Sequence, residues 1–172
     1  MKEKSILILI ALFIISCKKN ETKGSLYLRT NFDIEIADEV YTETYPINLN
    51  QIQDGKMVKL IMQSEQDTVI YELSENESNG RYSRNGKSEP ITLLDKKDYQ
   101  MDGQAYPIYK YGLNMIEMDG CSTHFWSPEF GILLIHSATW GGFSQIRPQD
   151  KNELIDQLSR IIMNDKKFYE GC

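Results

Sequence analysis

Apolar and polar residues alternate with a period of two over much of the chain. Phe32, Ile34 and Ile36 alternate with Asp33 and Glu35, and Val69, Tyr71 and Leu73 alternate with Ile70 and Glu72. A period of two places one residue set on each side of a pleated strand, so such runs predict strands with one buried face. Strands are predicted near 25–30, 32–37, 40–45, 57–63, 68–74, 90–94, 105–111, 113–118, 122–127, 130–139 and 143–147. Asx-Gly pairs punctuate them: Asp54-Gly55, Asn79-Gly80, Asn85-Gly86, Asp102-Gly103 and Asp119-Gly120. Both residue types tolerate the positive φ of two-residue hairpin turns, so the pairs predict turns and an antiparallel order. The polar stretch 74–89 predicts an exposed hairpin or loop.

Two segments break this rhythm. Phe130 to Ala138 is apolar at both parities, as expected of a central strand covered on both sides. Leu154, Ile155, Leu158, Ile161 and Ile162 form one stripe at helical spacing. A helix near 150–163 is expected to cover that strand, opened by a capping box of Asp150 and Glu153 just after Pro148. The fold class expected is mainly β (α+β): an antiparallel sheet with one carboxy-terminal amphipathic helix. No repeat of 20–50 residues is visible, which excludes solenoids and propellers.

The chain of 172 residues, 41% hydrophobic and 26% charged, has room for one real core. Its net charge of −6 argues against nucleic acid as a partner. Three cysteines are too few for a disulfide scaffold.

The amino terminus carries an address. Lys2 and Lys4 precede an unbroken apolar run, Ile6 to Ile15, that ends in Ser16-Cys17. The run is shorter than the roughly 20 residues of a bilayer-spanning helix and fits the apolar core of a signal peptide. With Ile14 three residues before Cys17 and Ser16 just before it, the segment resembles a bacterial lipoprotein signal peptide with its lipobox. Ile15 stands where a smaller residue is also common. The resemblance implies cleavage before Cys17, acylation (palmitate-type chains included) of its thiol and amine, and a membrane partner reached through lipid. The thiolate is the nucleophile that such acylation needs. Lys18 in place of an aspartate implies the outer membrane, with the chain facing either the periplasm or the surface. The organisation expected is a signal peptide over 1–16, a polar tether over 17–24, and one β-rich domain over 25–172.

Side chains that carry chemistry are few. His124 is expected to share a strand face with Ser122 and Trp126, and His136 with Phe130, Ile132 and Leu134. Lone histidines on apolar faces are usually hydrogen-bonded core residues. His124, His136, Cys121 and Glu129 are the donors a metal would draw on, but they lack metal-ligand spacing, and neither a metal nor another cofactor is expected. No nucleophile elbow or phosphate loop occurs. Once Cys17 is acylated, Cys121 and Cys172 are the remaining thiols, and an oxidising envelope favours their pairing. Closing a loop of that length contributes roughly 4 kcal/mol in the chain-entropy model.

Tyr106, Tyr109, Tyr111, Trp126 and Trp140 gather around the predicted central strands. Tyrosine and tryptophan supply large contact areas at low entropy cost. They make a candidate binding surface, or else they pack the sheet. Three functions remain open: a non-enzymatic envelope lipoprotein that binds a protein partner or a small ligand, a lipid or small-molecule carrier with an apolar cavity, and a small hydrolase using His124 or His136 with Glu129 or Asp119.

Overall fold

A computed structural model describes residues 18–31, 40–115, 120–138 and 142–171. Ten strands run β1 (Lys18–Asn31), β2 (Val40–Asp54), β3 (Met57–Gln63), β4 (Thr68–Ser74), β5 (Asn79–Arg84), β6 (Lys87–Met101), β7 (Gln104–Met115), β8 (Gly120–Ser127), β9 (Gly131–Ser137) and β10 (Phe143–Pro148). Each pairs antiparallel with the next, and β10 pairs with β1, so the sheet closes into an up-and-down barrel. Closure removes the exposed strand edges of an open sheet. Helix α1 (Asn152–Asn164) and the short α2 (Lys166–Tyr169) follow. The architecture is the expected antiparallel sheet with a carboxy-terminal amphipathic helix.

The two parities of the strands build two cores. Inside the barrel, Ile47, Val58, Leu60, Tyr71, Leu73, Ile91, Tyr109, Tyr111, Leu113, Trp126, Ile132 and Ile146 pack together. Outside, Tyr106, Ile108, Phe125, Leu133 and Leu134 are covered by Ile155, Leu158 and Ile162 of α1 and by Phe168 of α2. Those three α1 side chains are fully buried. Each contributes about 1.5–3 kcal/mol by leaving water. The doubly apolar strand β9 is therefore covered on both faces, as its sequence implies.

Several expectations are corrected. The 17–24 segment is not a free tether from Lys18 onward, because Lys18 pairs with Gln53 and Gly24 with both Ile47 and Pro148. Backbone pairing needs no apolar pattern, so the polar composition concealed it. Runs 105–111 and 113–118 belong largely to one strand, β7, and β6 and β2 extend well past 90–94 and 40–45. The 32–37 run lies outside the described residues. Asn85-Gly86 and Asp102-Gly103 are the expected turns, all four residues having positive φ. Asn79-Gly80 is not a turn: Gly80 lies inside β5 opposite Ile91. A Cβ there would stand 2.8 Å from Leu73 Cδ2 and 2.9 Å from the Glu72 carbonyl oxygen, so close approach of backbones is what calls for glycine. The capping box does not form either. Lys151 is the N-cap of α1 and makes no side-chain capping bond.

Candidate functional site

Four of the five aromatic residues expected to form a surface, Tyr106, Tyr109, Tyr111 and Trp126, lie inside the protein. Trp126, Tyr109 and Tyr111 are fully buried in the barrel, and Tyr106 is buried in the outer core. Their strand parity explains this correction, since both faces of β7 and β8 are covered. Trp126 packs against Tyr109 at 5.0 Å and Tyr111 at 6.3 Å between ring centroids. The Tyr111 hydroxyl donates to the Ser74 carbonyl at 3.2 Å, and burial pushes its pKa up to about 12. Trp140, Cys17 and Cys172 lie outside the described residues.

His124 does share its face with Ser122 and Trp126. Its Nδ1 lies 2.8 Å from the Tyr71 hydroxyl and its Nε2 3.0 Å from Ser122 Oγ. Burial lowers its pKa to about 4, so the ring is neutral at pH 7. Both ring nitrogens are satisfied within the core. His136 behaves differently from expectation because β9 carries a bulge: Phe125 pairs with Leu134, but Trp126 pairs with Ile132, leaving Leu133 extra. The inserted residue inverts the parity. Ile132 consequently faces the barrel interior, whereas Leu134 joins the outer core and His136 stacks on Tyr169 at 4.3 Å. Burial and the nearby Lys110 ammonium lower the His136 pKa. Neither histidine meets Glu129, and Asp119 lies outside the described residues. Among the described residues no group of three histidine, cysteine, aspartate or glutamate side chains converges to hold a metal.

Cys121 is disulfide-bonded. The chain's carboxy-terminal segment packs on the outer wall, against β7, β8 and β9. Lys110 Nζ donates to the Glu170 carbonyl at 2.8 Å, and Tyr169 also stacks on Phe125 at 5.6 Å.

The structure adds a site that sequence reading missed. The aromatic side chains fill part of the barrel, but between β2, β3, β9 and β10 a cavity of about 470 Å³ remains. Its apolar lining comes from interior positions of four strands: Leu49, Leu60, Met62, Ile132 and Ile146. Gln51, on the same face of β2 as Leu49, donates from Nε2 to the Pro128 carbonyl at 3.4 Å, which ties β2 to the β8–β9 turn across the barrel end. That turn supplies Glu129 and Phe130, and the segment after β10 supplies Asp150 and Lys151. Gly131 closes the turn with φ +80, a conformation side chains resist. A second hollow of about 490 Å³ adjoins outside, sharing Glu129, Phe130, Asp150 and Lys151 and adding Asp102, Glu153 and Leu154. Lys151 Nζ sits over the Phe130 ring, 5.0 Å from its centroid.

The predicted strand near 57–63 coincides with β3, whose Val58 and Leu60 are buried in the barrel. No sequence signal said that its inward face would border a void, because that depends on which side chains stand opposite after closure. No protein-family model matches the chain, and no curated protein sequence does.

Proposed function

We propose that this protein is a lipid-anchored, non-enzymatic binding barrel of the bacterial cell envelope, attached to the outer membrane through Cys17, which holds a small apolar or amphipathic ligand in its end cavity. The cavity carries the reading. A void of about 470 Å³ bordered by Leu49, Leu60, Met62, Ile132 and Ile146, with polar groups among its lining, has the size of a small-molecule site. Barrels of this strand number have interiors able to enclose one small ligand beside their packing side chains. The basic start, the apolar run and the Ser16-Cys17 junction support the anchor. A carrier fits the geometry better than a hydrolase, because His124 is spent on Tyr71 and Ser122 in the core, away from the cavity lining. It also fits better than an aromatic docking surface, whose described members are buried.

Two measurements test this. An apolar fluorescent probe should gain emission on binding the protein, and Leu49→Trp, which fills the cavity from β2, should abolish the gain while the protein stays folded. Undiminished probe binding in a folded Leu49→Trp variant would remove the cavity from the account. The mass of the mature protein should show acyl chains on Cys17, and a native protein beginning at Met1 would remove the anchor.

A further inference from the structure

Resting on the reading of the cavity as a ligand site, we propose that the Phe130 ring is the partition that sets the longest alkyl chain the cavity accepts. Four described residues border both the cavity and the outer hollow: Glu129, Phe130, Asp150 and Lys151. Glu129, Asp150 and Lys151 are exposed, whereas Phe130 is buried, with 7% of its surface accessible. The buried ring is therefore what stands between the two spaces. On its near side are Leu60, Ile132 and Ile146 of the barrel interior. On its far side is Leu154 of α1, which packs with Phe130 in the outer core.

The ring is held in place from several directions. The Tyr106 ring, itself buried on β7, lies against it with centroids 5.5 Å apart. Lys151 Nζ stands 5.0 Å from its centroid, within cation–π range. Earlier in the same turn, the Pro128 carbonyl accepts a hydrogen bond from Gln51 Nε2 of β2. After the ring comes Gly131, so close to the barrel interior that a Cβ would stand 3.5 Å from Leu60 Cδ2. Side chains packed in this way sit in fixed rotamers and yield little to a change of volume. A chain growing along the cavity thus meets a fixed wall, with a hollow of about 490 Å³ beyond it.

The straight-chain alcohols from hexan-1-ol to hexadecan-1-ol carry no charge and differ only in length, so their displacement of the bound fluorescent probe isolates the effect of the wall. In the wild type, affinity should rise about fourfold with each methylene, the gain expected of one buried CH₂, until the chain meets Phe130, and then stop rising. In Phe130→Ala the rise should continue. The first alcohols past the wild-type break should then bind the variant about tenfold more tightly than the wild type, while hexan-1-ol binds both alike. Phe130→Leu, which keeps an apolar side chain against Tyr106, should move the break part of the way, and it decides the matter if the alanine variant does not fold. A wild-type affinity that climbs without a break to hexadecan-1-ol, or the same break in the wild type and the folded variants, would overturn the partition while the cavity reading stands. Failure of the alcohols and the probe alike to bind the folded protein would overturn both.

Discussion

His124 combines near-complete burial with a satisfied hydrogen-bond pattern, and its protonation state is coupled to folding. In the folded protein its pKa is lowered by burial to about 4, against an ordinary value of 6.5 when unfolded. Below pH 6.5 the unfolded chain therefore binds a proton that the folded chain refuses, and stability falls as the pH drops towards 4. Between pH 7.5 and 5 the loss should be about 2 kcal/mol from this ring, and His136, also lowered, acts in the same direction. Asp67 and Asp165, whose carboxyls are held below the usual range by Arg84 and Lys97 first of all, lose their contribution only in more acid solution. Urea unfolding at the two pH values, on the wild type and on His124→Gln, checks this. The variant should show a shallower pH dependence, and an unchanged one would mean that the ring is not the proton-linked group.

At the level of the strand, two glycines with similar crowding should respond differently. A Cβ on Gly80 meets the side chain of fully buried Leu73 and the fixed Glu72 carbonyl. The three atoms nearest a Cβ on Gly112 all belong to the Leu94 side chain, the first at 2.8 Å, and Leu94 is 42% exposed with room to turn outward. Gly80→Ala should cost about 1–3 kcal/mol by overpacking, and Gly112→Ala much less. Chemical denaturation of the two variants measures the difference, and equal costs would contradict the described contacts.

Alternation placed β4 and its inward set of Val69, Tyr71 and Leu73 from sequence, the predicted runs 57–63 and 122–127 fall on β3 and β8, and the α1 stripe placed the helix that covers β9. What was not legible depended on partners distant in sequence. The polar start of β1 is a strand because β2 pairs with it. The bulge at Leu133 moves His136 to the outer wall because Phe125 and Trp126 hold their own register on β8. Tyr106, Tyr109, Tyr111 and Trp126 looked like a surface because the polar residues among them on β7 and β8 gave no sign that both faces of those strands are covered. The end cavity requires four strands to be placed around it before any one of its residues has meaning.

The molecule as a whole is fastened along its outer wall by the carboxy-terminal segment. Asp165 accepts hydrogen bonds from Lys97 and from the Tyr99 hydroxyl, and also caps α2 through the Phe168 amide. Beyond it, Tyr169 and Glu170 lie against His136 and Lys110. Cys121 being disulfide-bonded, and Cys17 being the expected acylation site, Cys172 is the expected partner. Non-reducing peptide mapping of the mature protein should recover a Cys121–Cys172 pair, and reduction should lower the melting temperature by loosening this wall from the helices. Recovery of Cys172 as a free thiol in the native protein would refute the pairing.

Closure of an even number of up-and-down strands also returns the chain to the rim from which it set out. Lys18 lies opposite Gln53, beside the β2–β3 turn, and β10 delivers Asp150 to that same end, where the cavity meets solvent. A chain acylated at Cys17 would hang from the bilayer by its open end, with the Asn85-Gly86 turn pointing away. The opening would then face the lipid headgroups. Exchange of an amphiphile would need only a short sideways step, with little passage through water.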